Sequence, residues 1–156
     1  MKVFYLIITS AIALSIVSSA FADSYDRKDF NYRSYKPNTS IGFHTNKTCD
    51  FINIDHIVSL KDAYDSGAAS WSASRKKGFA NDRSNHVPSC GRVNSSKGSE
   101  GPSDFLRRSR DGIGLEYEIV RFCEYVQKYY AVKVKYGLSF SSNKKRPFED
   151  CGLTSL

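Results

Sequence analysis

Asp55 and His56 stand side by side in Ile54-Asp55-His56-Ile57-Val58. Neighbouring side chains on a strand point to opposite faces, and at an irregular strand end they diverge less. One of the two can then hold a metal while the other addresses a water or a phosphate. Downstream come Asn85-His86-Val87-Pro88 and Asn94-Ser95-Ser96-Lys97-Gly98. Ser89 is placed to N-cap a short helix from Ser89 to Lys97, and Asn94 on that helix could supply a second oxygen ligand. A hard cation such as Mg²⁺ takes oxygen ligands and keeps several waters, so one Asp, one Asn, waters and a substrate phosphate would satisfy it. His56 has an ordinary pKa suited to drawing a proton from an attacking water near neutral pH. Each residue also has a plain reading. Asp55 could be a buried structural carboxylate, His56 a satisfied core histidine, and Asn85 an ordinary turn asparagine.

The ordered series resembles the ββα-metal (HNH) endonuclease motif: Asp-His on a first strand, Asn in the connecting loop, and a final Asn on the helix. The Asn85-to-Asn94 spacing is similar to that in the HNH domain of RNA-guided DNA nucleases. The wider context runs from Asp55-His56-Ile57-Val58 through Ser66-Gly67-Ala68 and Trp71, then Phe79-Ala80-Asn81-Asp82, Asn85, Asn94 and Lys97-Gly98. It resembles secreted bacterial HNH nucleases related to the GmrSD C-terminal domain. Tyr25-Asp26-Arg27, Cys123-x-Tyr125 and Lys133-x-Lys135-Tyr136-Gly137-Leu138 are also similar to that family. The resemblance implies an α+β fold, a small ββα-metal core with extra helices. It implies one divalent ion, Mg²⁺ in the first place with Mn²⁺ or another as alternatives, held by Asp55 and Asn94, with His56 as general base. Asn85 would orient the loop that aims His56, and Lys97 would contact phosphate or support the helix end. His86 is not expected to touch the ion or the phosphate, and Asp82 is expected to be a turn or cap residue. The implied reaction is hydrolysis of phosphodiester bonds in DNA or RNA, leaving a 5′-phosphate and a 3′-hydroxyl.

Residues 1–22 read as a secretory signal peptide. Lys2 opens a largely apolar run from Phe4 to Val17, and Ala20-Phe21-Ala22 fits an A-x-A cleavage site before Asp23. The run is shorter than the ~20 residues a membrane span needs. A secreted or periplasmic protein without stable membrane association is expected, with residues 23–156 as a single monomeric domain. Its motif core is 49–98, and a C-terminal helix and tail fill 115–156. The chain carries a formal charge of +7; loss of Lys2 with the leader, which holds no acid, leaves +6. Such charge attracts polyanions. It suits a nuclease that grips the backbone without reading bases, and it equally suits a non-catalytic cationic protein that binds nucleic acid or membranes. The basic residues cluster at Arg75-Lys76-Lys77, Arg107-Arg108-Arg110 and Lys144-Lys145-Arg146, each of which could be a solvated face.

Cys49, Cys90, Cys123 and Cys151 make an even count in an exported chain, which implies two disulfides with three possible pairings. No Cys-x-x-Cys pair favours zinc. If Asp55 and Asn94 meet one ion, Cys49 and Cys90 are carried close together, which favours Cys49–Cys90 and Cys123–Cys151.

The rest of the chain supplies supports. Tyr25, Phe30, Tyr32 and Tyr35 are expected over the core, and His44 in a structural or surface place. Cys49 to Val58 reads as a strand, Ser59 to Asp65 as a short helix, and Ala68 to Phe79 as a second helix with Trp71 as a core anchor. Val87-Pro88 is a short second strand. Leu115 to Tyr130 has Leu115, Ile119, Phe122, Cys123, Val126 and Tyr130 on one helical face, and Gly137 can stop an extension.

Overall fold

The computed structural model describes residues 24–105 and 118–154. The leader and the Arg107-Arg108-Arg110 cluster lie outside the described residues, as does the expected helix start at Leu115. The fold is a small α+β structure. Its two strands are β1 (Ile52–His56) and β2 (His86–Cys90), and its helices are α1 (Leu60–Asp65), α2 (Ala73–Ala80), α3 (Gly91–Lys97), α4 (Phe122–Tyr136) and α5 (Arg146–Glu149). Short 3-10 turns at Arg27–Phe30, Ala68–Ser70 and Arg83–Asn85 punctuate the connections.

β1 and β2 pair antiparallel, from Ile52 opposite Cys90 to His56 opposite His86. α3 follows β2 without a loop and packs on both strands, so strand, strand and helix form one unit. Cys49–Cys90 ties the approach to β1 to the β2–α3 junction, and Cys123–Cys151 ties α4 to the residue pair beyond α5. These are the pairings the sequence favours. Gly42 crosses directly over the first bridge: a Cβ there would lie 2.8 Å from Cys90 Sγ and 3.0 Å from Cys49 Sγ. Only glycine permits that approach.

The core gathers Phe30, Ile57, Val58, Leu60, Phe79, Phe105, Tyr125, Tyr129 and Phe148, all at or near zero exposure. Phe30 anchors the 3-10 turn that opens at Arg27. Asp26 caps that turn by accepting from Lys28 N–H. Ser59 caps α1 through Asp62 N–H, and Ser72 caps α2 through Arg75 N–H.

Three sequence expectations need correction. The helix expected from Ala68 to Phe79 is a 3-10 turn, a break at Trp71-Ser72, and then α2. Ser72, which reads as an interior residue, is the N-cap of α2, and Trp71 is only partly buried, between Phe79 and Tyr136 with Arg75 over its ring at 4.4 Å. Ser89 does not cap α3. It is a fully buried residue of β2, and α3 starts two residues later with no side-chain cap. The long helix is α4, beginning at Phe122. Its buried face is Tyr125, Val126, Tyr129, Val132 and Lys133, rotated from the face the apolar pattern suggests. Cys123 is exposed although its disulfide partner Cys151 is buried, and Lys133 is turned inward to the Asp62 carboxylate. Gly137 ends α4 at φ 65°, as expected. Among the described residues no helix is long and apolar enough to cross a membrane.

Candidate nuclease site

Alternation along β1 sorts the site into two faces. Asn53 and Asp55 point toward α3, where Asn94 and Lys97, three residues apart, share one side of the helix. Asn94 Nδ2 donates to Asn53 Oδ1 at 2.9 Å, and Lys97 Nζ donates to Asp55 Oδ1 at 3.0 Å. Asp55 and Asn94 are therefore on the same strand–helix interface, though each bonds a different partner. The Asn94 bond uses the amide nitrogen and leaves its carbonyl oxygen uninvolved in that contact. Asn94 lines a polar cleft of about 410 Å³ together with Arg27 and Lys61.

Asp55 is 3 % exposed and held from two sides. His44 Nε2–H donates to Oδ2 at 2.9 Å, opposite the Lys97 bond to Oδ1. Burial pushes its carboxyl pKa up. The Lys97 ammonium and the His44 hydrogen bond more than reverse this, so the carboxyl lies below its ordinary value and stays ionised. His44, expected in a structural or surface place, is a buried support whose other nitrogen, Nδ1, finds no partner among the described residues. Lys97 is fully buried and also donates to the His56 carbonyl at 2.8 Å. The ammonium thus ties Asp55 to the end of β1 from inside the fold, a contact that neither expected role, phosphate binding or support of the helix end, describes.

His56 lies on the opposite face. Its Nε2 is 2.8 Å from the Ala80 carbonyl. A carbonyl only accepts, so Nε2 carries the proton and the neutral ring keeps its lone pair on Nδ1. The ring is packed edge-on against Tyr32 and His86, at centroid distances of 4.6 and 4.5 Å. Burial is the main reason its pKa falls to about 4. The Ala80 carbonyl opposes the fall and His86 adds to it. The ring is thus neutral and available through the neutral range, at the cost of basicity. His86 reaches the same carbonyl through Nε2 at 3.0 Å, and its Nδ1 is 3.2 Å from the Tyr35 hydroxyl.

Asn85 joins the two strands at the point where His56 leaves β1. It is fully buried; its Oδ1 accepts from Val58 N–H at 2.8 Å and its Nδ2 donates to Val58 O at 3.0 Å. Its own carbonyl accepts from Ile57 N–H. These three bonds fix the turn that carries the His56 ring. Asp82, expected to be a turn or cap residue, caps the Arg83–Asn85 turn through Ser84 N–H and also binds Lys135 and Tyr136. Two residues were missed from sequence, Asn53 as the partner of Asn94 and His44 as the partner of Asp55. The first was findable, because a residue two before Asp55 on a strand shares its face. The second depends on a loop fold that no local pattern encodes.

Among the described residues no three His, Cys, Asp or Glu side chains converge on a point. A Mg²⁺-type site does not need such a cage. One carboxylate and the carbonyl of Asn94 on one face are donors of the right kind. A carboxylate offers about four lone-pair sites, and the two bonds to Asp55 leave others. These donor types suit a hard divalent cation, while both Asp55 oxygens are engaged by Lys97 and His44, and Asn94 rather than Asp55 lines the open cleft.

No solved structure matches the chain. An uncharacterized secreted protein of Arthroderma benhamiae is 35% identical over 96 residues, which cover 60% of this chain and 43% of that protein. The chain thus spans less than half the length of this relative. The family model for the C-terminal domain of GmrSD restriction endonucleases matches residues 12–148. That family points to an HNH nuclease domain and to nucleic-acid cleavage in general. The chain belongs to the GmrSD restriction endonuclease C-terminal domain family.

Proposed function

We propose that the protein is a secreted, metal-dependent endonuclease that hydrolyses phosphodiester bonds of DNA or RNA with little sequence specificity. The observation that carries this reading is the β1–β2–α3 unit. It puts Asp55 and Asn94 on one interface, while Asn85 clamps the turn that holds the adjacent His56. Asp55 and Asn94 would hold the cation, which when bound offsets the charge that grows on the phosphoryl group. His56 takes a proton from the attacking water at Nδ1, the nitrogen left basic by the Ala80 contact. Lys97 and His44 keep Asp55 ionised and in place before any cation arrives. Secretion is supported by the sequence of the leader and by the printed name of the fungal relative. Weak specificity is supported by the net positive charge of the chain, which suits a grip on the phosphate backbone rather than on base edges.

Plasmid nicking with and without a chelator tests the reading. Nicking should vanish in chelator and return with added Mg²⁺ or Mn²⁺. Nicking of equal rate in chelator would remove the metal-dependent mechanism, and binding without any nicking would favour the non-catalytic cationic protein.

A further inference from the structure

Lys97 is sealed inside the fold, so it does not supply the exposed cation that a phosphate at this site requires. Arg27 stands where such a cation is needed. It is exposed at the start of the Arg27–Phe30 turn, held there by the Asp26 cap and the buried Phe30. It lines the cleft of about 410 Å³ that also contains Asn94, Ser95 and Ser99. It also borders the His56 side: its guanidinium carbon is 5.9 Å from the centroid of Tyr32, whose ring is in turn 4.6 Å from that of His56. Arg27 therefore sits at the rim where the two faces of β1 are both within reach.

Lys61 is the other cation of the cleft. Its ammonium is already paired with Asp65, at 2.8 and 2.6 Å, so its charge is partly neutralised. Arg27 lies over the Tyr32 ring and hydrogen-bonds the Tyr25 hydroxyl, and among the described residues no carboxylate pairs with it, so its charge is not neutralised as that of Lys61 is. A guanidinium matches two phosphate oxygens at once, which a lysine cannot do. The cleft wall contributes hydroxyls, and its one aromatic ring, Tyr25, is covered by Phe30, Tyr64 and Lys61. That lining suits a sugar-phosphate backbone better than a stacked base.

We propose that Arg27 is the phosphate-binding residue of this site, gripping the nucleic-acid backbone in the cleft beside Asn94. The inference rests on the nuclease reading and is tested apart from it by measuring binding in chelator. The probe is a short fluorescent DNA duplex titrated over a series of KCl concentrations, using the full chain and the Arg27→Gln, Arg27→Lys and Arg146→Gln variants. Arg146 is exposed on α5 and serves as a charge-matched control. Arg27→Gln should weaken binding several-fold at the lowest salt and reduce the salt slope by about 0.9, the loss of one phosphate contact. Arg146→Gln should change both less. With Mg²⁺ present, Arg27→Lys should keep the slope but lower kcat, because the charge remains and the fork does not. An Arg27→Gln slope equal to wild type, or a loss no larger than that of Arg146→Gln, would overturn the proposal. Wild-type binding without cleavage would sink the nuclease reading while the slopes still decide Arg27. No wild-type binding at all would sink both.

Discussion

Two buried aspartates in this molecule are held in nearly the same way. Asp55 takes Lys97 at 3.0 Å and a histidine N–H at 2.9 Å. Asp62 takes Lys133 at 3.0 Å and the Tyr129 hydroxyl at 2.7 Å. Both lysines are fully buried. The difference lies in where the partners come from. Lys133 and Tyr129 are four residues apart on α4, so the Asp62 cluster is a clamp between α1 and one helix. Asp55 gathers α3, the loop at His44 and β1 itself, and its chain neighbour is a histidine with a basic nitrogen. A buried Asp–Lys pair is thus no sign of chemistry by itself. Its neighbours decide, and here Asn94 and His56 adjoin one pair and not the other.

Activity should separate the two pairs most sharply. Asp55→Asn should reduce cleavage by about 100-fold or more, since removing one charged group from a catalytic constellation costs on that order. Asp62→Asn should leave kcat of the folded fraction within about twofold. Loss of activity in both, measured on protein shown to be folded, would mean that the α1–α4 clamp is part of the site.

Stability should treat the pairs alike. Asp55→Ala and Asp62→Ala each strand a buried ammonium, which costs about 3–5 kcal/mol. Replacing both members of the second pair, Asp62→Leu with Lys133→Met, should recover most of that in urea denaturation. Failure to recover would show that the Asp62 cluster supports more than its own charges.

The two disulfides extend the comparison. Reducing either should cost about 2–4 kcal/mol. Loss of Cys49–Cys90 should also lower cleavage, because that bridge joins the segment before β1 to the start of α3. Loss of Cys123–Cys151 should lower the Tm alone.

The smallest effect belongs to Asp82. Burial raises its carboxyl pKa, but the bonds from Lys135, Ser84 and Tyr136 win and hold it well below the ordinary value. The folded state therefore binds its proton less readily than the unfolded state. The stabilisation is complete above about pH 4 and is lost as pH falls below that. Lys135 is half exposed, so the contribution is on the order of 1 kcal/mol. Asp82→Asn should flatten the acid limb of a stability-versus-pH curve between about pH 4 and pH 2; an unchanged limb would mean the pairing adds nothing.

Much of the site was legible because it is encoded locally. The Asp55-His56 step, the Asn85 turn and the Asn94-to-Lys97 spacing each depend on strand alternation or helix periodicity, and the cysteine pairing followed once those elements were assumed to meet. What could not be read depends on contacts between distant segments. Lys97 looks like a surface cation because lysines usually are, and only the approach of β1 turns it inward. His44 is a partner of Asp55 only through the fold of its loop, whereas Asn53 could have been read from strand alternation. The α4 face differs from the apolar pattern because Lys133 and Cys123 reverse their usual preferences, the lysine buried against Asp62 and the cysteine exposed although its partner Cys151 is buried. The leader and the Arg107-Arg108-Arg110 cluster remain sequence expectations.

If His56 is the base of a phosphodiester cleavage at the β1–β2–α3 unit, removing its ring should stop the chemistry while the duplex still binds. The direct measurement is the single-turnover cleavage rate of a short duplex in Mg²⁺ by wild type and His56→Ala, with folding verified by melting and duplex binding verified in chelator. A fall of about 100-fold or more with binding retained is the predicted result. Equal rates for the two proteins would contradict the account.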